Sequence, residues 1–170
     1  VDSQLPVISA QPASRTVCTG ANATFSVTAS NAVSYQWQRF ISGVWTDVPG
    51  GTGATLTLNN VNLGMNDNSY RVNVIGLCSS VTSGFASLYV NPLPTISLTT
   101  TNSPVLLPTE NTSISAVVSP TGGSFAWFKN GAALVPAVTT GTLSNLTVEN
   151  AGTYRAVYTD PNGCVNTSGD

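Results

Sequence analysis

Two stretches of this 170-residue chain repeat one another. Asn66-Asp67-Asn68-Ser69-Tyr70-Arg71-Val72 matches Asn150-Ala151-Gly152-Thr153-Tyr154-Arg155-Ala156. A Trp in a short apolar run precedes each copy, in Tyr35-Gln36-Trp37-Gln38 and in Phe125-Ala126-Trp127-Phe128. A Trp on one strand, then a turn, then a Tyr on a later strand is the core pattern of a two-sheet β-sandwich. Its recurrence predicts two such units in tandem, because internal repeats set the architecture before any other signal does.

The chain length suits two small domains, residues 1–91 and 92–170, with Asn91-Pro92-Leu93-Pro94 as the joint. Segments of alternating polarity recur between turn residues. Pro6-Val7-Ile8 reads as an edge strand. Ala23 to Ala29 alternates with Phe25, Val27 and Ala29 inward. Ser34 to Phe40 carries Trp37, Thr55 to Leu58 is a short strand, Tyr70 to Ile75 alternates again, and Phe85 to Val90 closes the domain. The second half follows the same order: Ile114, Ala116 and Val118, then Trp127, a hairpin turn at Lys129-Asn130-Gly131, Leu143 and Leu146, and the Tyr154 strand. No window holds an apolar stripe at helical spacing.

Composition narrows the function. Only 7% of residues are charged, against roughly 25% in ordinary globular chains. Polarity comes from Ser, Thr and Asn, which suit the outward faces of strands and turns. A net charge of −2 leaves no basic footprint, so nucleic acid is not an expected partner. The chain has no His, which removes Ser-His-Asp and Cys-His catalysis and every His metal site. No leader pattern and no bilayer-length apolar run is present, so membrane insertion is not expected. Low charge, Thr/Asn-rich strands and repeats point to an exported protein, extracellular or at the cell surface.

Val17-Cys18-Thr19-Gly20, Ala23-Thr24-Phe25-Ser26-Val27, Tyr35-Gln36-Trp37-Gln38 and Ser69-Tyr70-Arg71-Val72 resemble tandem immunoglobulin-like repeats of large secreted or surface proteins of Bacteroidetes-type bacteria. The resemblance covers most of residues 6–90 and, more weakly, 94–170. It implies an all-β chain of two immunoglobulin-like sandwiches. It also implies a non-catalytic spacer or adhesive role, or an accessory role beside a secreted hydrolase, with neighbouring immunoglobulin-like domains of the same chain as partners. Val27 and Val72, and in the second half Ala116 and Ala156, stand where antibody-type domains carry their core cysteines. Contact between the sheets must then come from packing around Trp37 and Trp127. The hydroxyls of Tyr70 and Tyr154 are expected to bond a nearby backbone carbonyl, as in a tyrosine corner.

Three cysteines leave two pairings open. Parity within the first domain favours Cys18 with Cys78. Strand direction argues against it, because the two lie at opposite ends of a sandwich, and a disulfide needs Cα atoms within about 7 Å. The alternative joins Cys18 to Cys164, Leu107 taking the Cys18 position in the second domain, and an unpaired thiol is a third outcome.

Seven carboxylates, Asp2, Asp47, Asp67, Glu110, Glu149, Asp160 and Asp170, show no catalytic spacing. Asp67 and Glu149 suit turns. Asp160 and Asn162 offer oxygen ligands for Ca²⁺, although one carboxylate is thin for that ion. Lys129 is the only Lys and sits at a hairpin tip, a poor place for an isopeptide cross-link. Asn22, Asn111, Asn145 and Asn166 head Asn-X-Ser/Thr triplets of the number expected in so Ser/Thr/Asn-rich a chain. No catalytic residue, metal ligand or cofactor site is expected. Phe40, Trp45 and Tyr89 are the aromatics expected nearest the surface. Trp45 covers a sheet edge in one reading and, with Phe40, stacks on sugar rings in the other. A surface glycan or a protein receptor is the partner class these readings leave.

Overall fold

The computed structural model describes residues 5–102 and 106–170; Asp2 lies outside them. The chain divides into two compact units, Val1–Pro92 and Leu93–Asp170. Every regular element among the described residues is a strand or a single 3₁₀ turn. The fold is all-β and immunoglobulin-like.

Unit one holds β1 (Val7–Ala10), β2 (Arg15–Cys18), β3 (Ala23–Ser26), β4 (Thr28–Ser30), β5 (Ser34–Ile41), β6 (Val44–Asp47), β7 (Thr55–Leu58), β8 (Ser69–Ile75), β9 (Ser80–Thr82) and β10 (Ala86–Asn91). One face pairs β1 with β4 and β3 with β7. The other runs β2-β10-β8-β5-β6, with β9 also on β8. The strand expected from Ala23 to Ala29 is interrupted at Val27, whose N–H donates to Ala54 O at 3.0 Å. Alternation along β3 and β8 sends Phe25, Tyr70, Val72 and Val74 inward, and they close around a fully buried Trp37. The Trp37 indole N–H donates to Gly53 O at 2.9 Å. Its backbone N–H reaches Gly51 O at 2.7 Å. A Cβ on Gly51 would lie 2.9 Å from the Trp37 Cβ, so only glycine lets this loop approach.

Unit two holds β11 (Thr95–Thr100), β12 (Thr112–Ser119), β13 (Ser124–Lys129), β14 (Ala132–Ala133), β15 (Thr142–Leu146), β16 (Tyr154–Thr159) and β17 (Val165–Thr167). β11-β12-β15 form one sheet and β14-β13-β16-β17 the other. Trp127 faces Ala156 across β13 and β16 as Trp37 faces Val72 across β5 and β8. Its indole N–H donates to Thr140 O at 2.8 Å.

One further device is repeated. Ser83 donates its backbone N–H to Val72 O and accepts the Val72 N–H on Oγ, both at 2.9 Å. Ser168 does the same with Ala156, at 2.9 and 3.0 Å. Each serine is buried. Its hydroxyl takes the place of a ladder bond just past the end of β9 and of β17, so neither amide is left without a partner.

The two tyrosines differ. The Tyr154 hydroxyl donates to Asn150 O at 2.6 Å, as a tyrosine corner requires. The Tyr70 hydroxyl is buried without a hydrogen-bond partner, which corrects the sequence expectation. The cause lies on β3: the Phe25 ring sits 5.1 Å from the Tyr70 ring. Ile114 holds that strand place in unit two, and the smaller side chain leaves the phenol free to reach its carbonyl. Tyr154→Phe should therefore lower stability by about 1 kcal/mol, and Tyr70→Phe should leave it unchanged or raise it, since an unpaired buried hydroxyl is itself unfavourable. Urea denaturation of both variants checks this, and equal losses would refute the contrast.

Candidate functional site

Trp37 points inward, so its neighbours Gln36, Gln38 and Phe40 point out from β5. The β5–β6 turn has positive φ at Ser42 (49°) and Gly43 (86°), the two-residue geometry that follows strand twist. Its register sets Phe40 opposite Trp45 and Gln38 opposite Asp47. On the other flank Gln38 faces Arg71 of β8. Five side chains thus converge on the outer face. The Phe40 and Trp45 rings lie 5.1 Å apart with planes at 52°. The Arg71 guanidinium stands 4.3 Å over the Trp45 ring. Arg71 Nε–H donates to Gln38 Oε1 at 2.9 Å, and Gln38 Nε2–H donates to Asp47 Oδ1 at 2.8 Å. The chain Arg71–Gln38–Asp47 separates two opposite charges by a neutral amide that serves both, and this fixes their rotamers.

Trp45 is half-buried and Phe40 is 43% exposed. The indole covers the edge of the sheet, as one sequence reading holds, while an aromatic ring remains open beside it. Tyr89 is also on this face, 45% exposed, without a ring contact to the cluster. The patch offers an aromatic surface ringed by donors and acceptors. It holds no nucleophile with an adjacent base. Unit two keeps only part of it: Arg155 lies 5.0 Å over Phe128, and β14 is too short to carry a Trp45 counterpart.

Trp37, Tyr70, Trp127 and Tyr154 are brought together only within their own cores. Among the described residues no group of three or more His, Cys, Asp or Glu side chains could hold a metal ion. Asp160 Oδ1 accepts the backbone N–H of Asn162 and of Cys164, both at 2.8 Å, so that oxygen is used in closing the turn. Lys129 lies over the Tyr154 ring at 5.8 Å, beside the turn whose Asn130 and Gly131 have φ of 50° and 83°. Ser83 and Ser168 escaped the sequence reading, although Thr82-Ser83-Gly84 and Thr167-Ser168-Gly169 are themselves a repeat.

Cys18 and Cys164 are joined in a disulfide, and Cys78 is a free, exposed thiol. The Cys18–Cys78 pairing is excluded for a topological reason. Cys18 ends β2 beside Asn91 of β10, whereas Cys78 follows the opposite end of β8. The way from Asn91 back to Ser87 and on along its partner strand from Ser69 to Ile75 is ten residue steps, roughly 30 Å at about 3.3 Å per residue.

A family model described as a domain of unknown function, DUF8696, matches residues 8–92, half of the chain. The chain belongs to this family. Among curated proteins, Endoglucanase C of Cellulomonas fimi is 46% identical over 55 residues, which is 31% of this chain and 5% of that enzyme. Among solved structures, the titin I-band fragment I67–I69 is 18% identical, over 96% of this chain and 64% of that one, with a TM-score of 0.49. The titin domains Z1Z2 in complex with telethonin are 18% identical over 99% and 96%, TM-score 0.47. The Ig1-2 module of Drosophila receptor protein tyrosine phosphatase DLAR is 20% identical over 98% and 96%, TM-score 0.41. The disulfide is compatible with an extracellular place for this DUF8696 member. No helix among the described residues is long and apolar enough to cross a membrane.

The disulfide closes a loop of about 146 residues, which on the chain-entropy model stabilises the folded chain by about 5 kcal/mol. Trypsin cleavage after Arg15, Arg39, Arg71, Lys129 and Arg155 puts each cysteine on its own peptide. After alkylation, non-reducing mapping should show Cys18 linked to Cys164 and Cys78 modified, and reduction should lower the unfolding midpoint. A Cys18–Cys78 peptide would refute the assignment.

Proposed function

We propose that this chain is a non-catalytic accessory module of a larger secreted or surface protein, its two sandwiches acting as spacer or adhesion repeats. The observation that carries this reading is how the conspicuous side chains are used. Both indole N–H groups and the Tyr154 hydroxyl bond backbone carbonyls of their own unit. The Trp–Tyr repeat is thereby consumed in making units that stand alone. The partial likeness to an endoglucanase and the disulfide support a place in an exported, multi-domain protein. The resemblance to repeats of Bacteroidetes-type bacteria supports the same reading, with neighbouring immunoglobulin-like domains as the first partners and a surface protein as a further one.

A second reading, carbohydrate binding, is favoured by one feature: the open Phe40 ring beside Trp45, framed by Arg71, Gln38 and Asp47. Aromatic faces with fixed donors and acceptors suit the apolar faces and hydroxyls of pyranose rings.

Pull-down and titration calorimetry against soluble and insoluble polysaccharides separate the two. The spacer reading expects no saturable binding. Saturable binding to one polymer, lost in Trp45→Ala and Phe40→Ala while the unfolding midpoint is retained, would replace it with the second reading. Binding that survives both substitutions would exclude the aromatic patch as its seat.

A further inference from the structure

The far end of unit one is built differently from its faces. Leu77 is 81% exposed, Val33 62%, Leu5 61% and Ile75 39%. Local bonds hold them at one place. Val33 N–H donates to Ile75 O at 2.7 Å, and the Asn31 side chain donates to Leu5 O at 3.1 Å. Gly76 packs so closely on Pro6 that a Cβ there would stand 2.8 Å from the proline ring. Residues 5–10, 31–36 and 75–84 contain no charged side chain. Exposed apolar side chains gathered at one end with no charge among them mark an interaction site. Cys78 follows Leu77, exposed, in the β8–β9 turn that Gly76 N–H closes on Ser79 O at 2.8 Å.

Two observations within the chain say what covers it. The corresponding turn of unit two, between β16 and β17, is closed by Asp160 N–H on Cys164 O at 2.9 Å. Its cysteine is disulfide-bonded and fully buried. In addition, Leu5-Pro6-Val7-Ile8-Ser9 is repeated as Leu93-Pro94-Thr95-Ile96-Ser97, directly after Asn91-Pro92. Both prolines are buried. Unit one therefore carries the lead-in segment and the turn cysteine that unit two carries.

We infer that the Leu5–Val33–Leu77 end of unit one docks a further immunoglobulin-like module, and that Cys78 forms a disulfide with a cysteine of that module at the position Cys18 holds here. The proposal rests on the spacer-module reading and names its partner. The step is an oxidation. Two thiols lose two protons and two electrons to form the S–S bond, and a small disulfide such as oxidised glutathione is reduced to two thiols. The apolar end supplies orientation, and the sulfur–sulfur bond makes the docking permanent.

The test places a copy of residues 5–92 carrying Cys78→Ser ahead of Leu5 of the full chain, so that Pro92 precedes Leu5 as it precedes Leu93. Oxidation is carried out in glutathione buffer and followed by alkylation and peptide mapping. Cys78 should lose its alkylation and appear linked to Cys18 of the added copy, with Cys18–Cys164 of the original chain kept. Leu77→Asp should slow the loss of the Cys78 thiol about tenfold, equivalent to about 1.4 kcal/mol. A control bearing Cys78→Ser and Thr57→Cys should keep its thiol. Persistent Cys78 alkylation, equal oxidation of the control, or no effect of Leu77→Asp would each overturn the proposal. A saturable polysaccharide ligand would overturn the spacer reading without touching this thiol.

Discussion

Everything in each sandwich is arranged around one indole. A Trp buried between two sheets must find an acceptor for its N–H, because an unpaired donor there is penalised by about 1–3 kcal/mol. Trp37 finds Gly53 O and Trp127 finds Thr140 O. Each bond ties a central strand to the loop that crosses to the other sheet. It holds the layers together where antibody-type domains use a disulfide and this chain has Val27 and Val72, or Ala116 and Ala156. Gly51 is a consequence, since the loop must come within contact of the Trp37 Cβ. The outer face is another: with Trp37 inward, Gln36, Gln38 and Phe40 have to face out.

The two units satisfy this constraint with unequal means. Unit one, among the described residues, buries eleven further apolar side chains around Trp37, including Phe25, Leu56, Tyr70 and Leu88. In unit two, among the described residues, the cluster around Trp127 buries only Leu143 and Ala156 with it, partly exposed residues pack on these, and Tyr158 and Cys164 are buried outside the cluster. A thinner core has to be supplemented by directional bonds. Tyr154 makes its corner bond, and the Tyr158 hydroxyl donates to Pro120 O at 2.7 Å while accepting the Gly123 N–H at 2.8 Å. Unit one tolerates an unpartnered Tyr70 hydroxyl because Phe25 and Trp37 surround it with apolar area, worth roughly 25 cal/mol per Å² removed from water.

Much of this was legible because period-two alternation and the Trp–Tyr spacing are local signals. The strands carrying Phe25, Trp37, Leu56, Tyr70, Trp127 and Tyr154 follow directly from them. What was not legible depends on atoms far apart in sequence. Ser83 reads as an ordinary strand or turn residue until Val72 is placed beside it. Strand β2 offers only Arg15-Thr16-Val17-Cys18, and its parallel pairing with β10 is set by the tertiary fold. Tyr70 and Tyr154 look alike in sequence, and their difference arises from a residue on another strand, Phe25 against Ile114. On the outer face, Trp45 and Phe40 were identifiable as near-surface aromatics. The guanidinium over the indole was not, because Arg71 is 26 residues away along the chain and meets Trp45 only through the β5 register.

These features divide the chemistry of unit one between its faces and its end. On the face, the side chains restrain one another: Arg71, Gln38 and Asp47 hold a fixed polar frame around two rings. Such preorganisation lowers the entropy cost of engaging a ligand that presents hydroxyls and a flat apolar surface. At the end, Leu5, Val33 and Leu77 have no polar frame, and nothing restrains them but the backbone turns they sit on. A surface of that kind discriminates poorly among soluble ligands, yet it suits a rigid neighbour delivered by a short proline-containing joint, whose effective concentration is high whatever its intrinsic affinity. Specificity then falls to the cysteine, which reacts only when the partner sulfur arrives within disulfide geometry. A change on the face should therefore bear on the carbohydrate-binding reading alone, and a change at the end on what unit one is attached to.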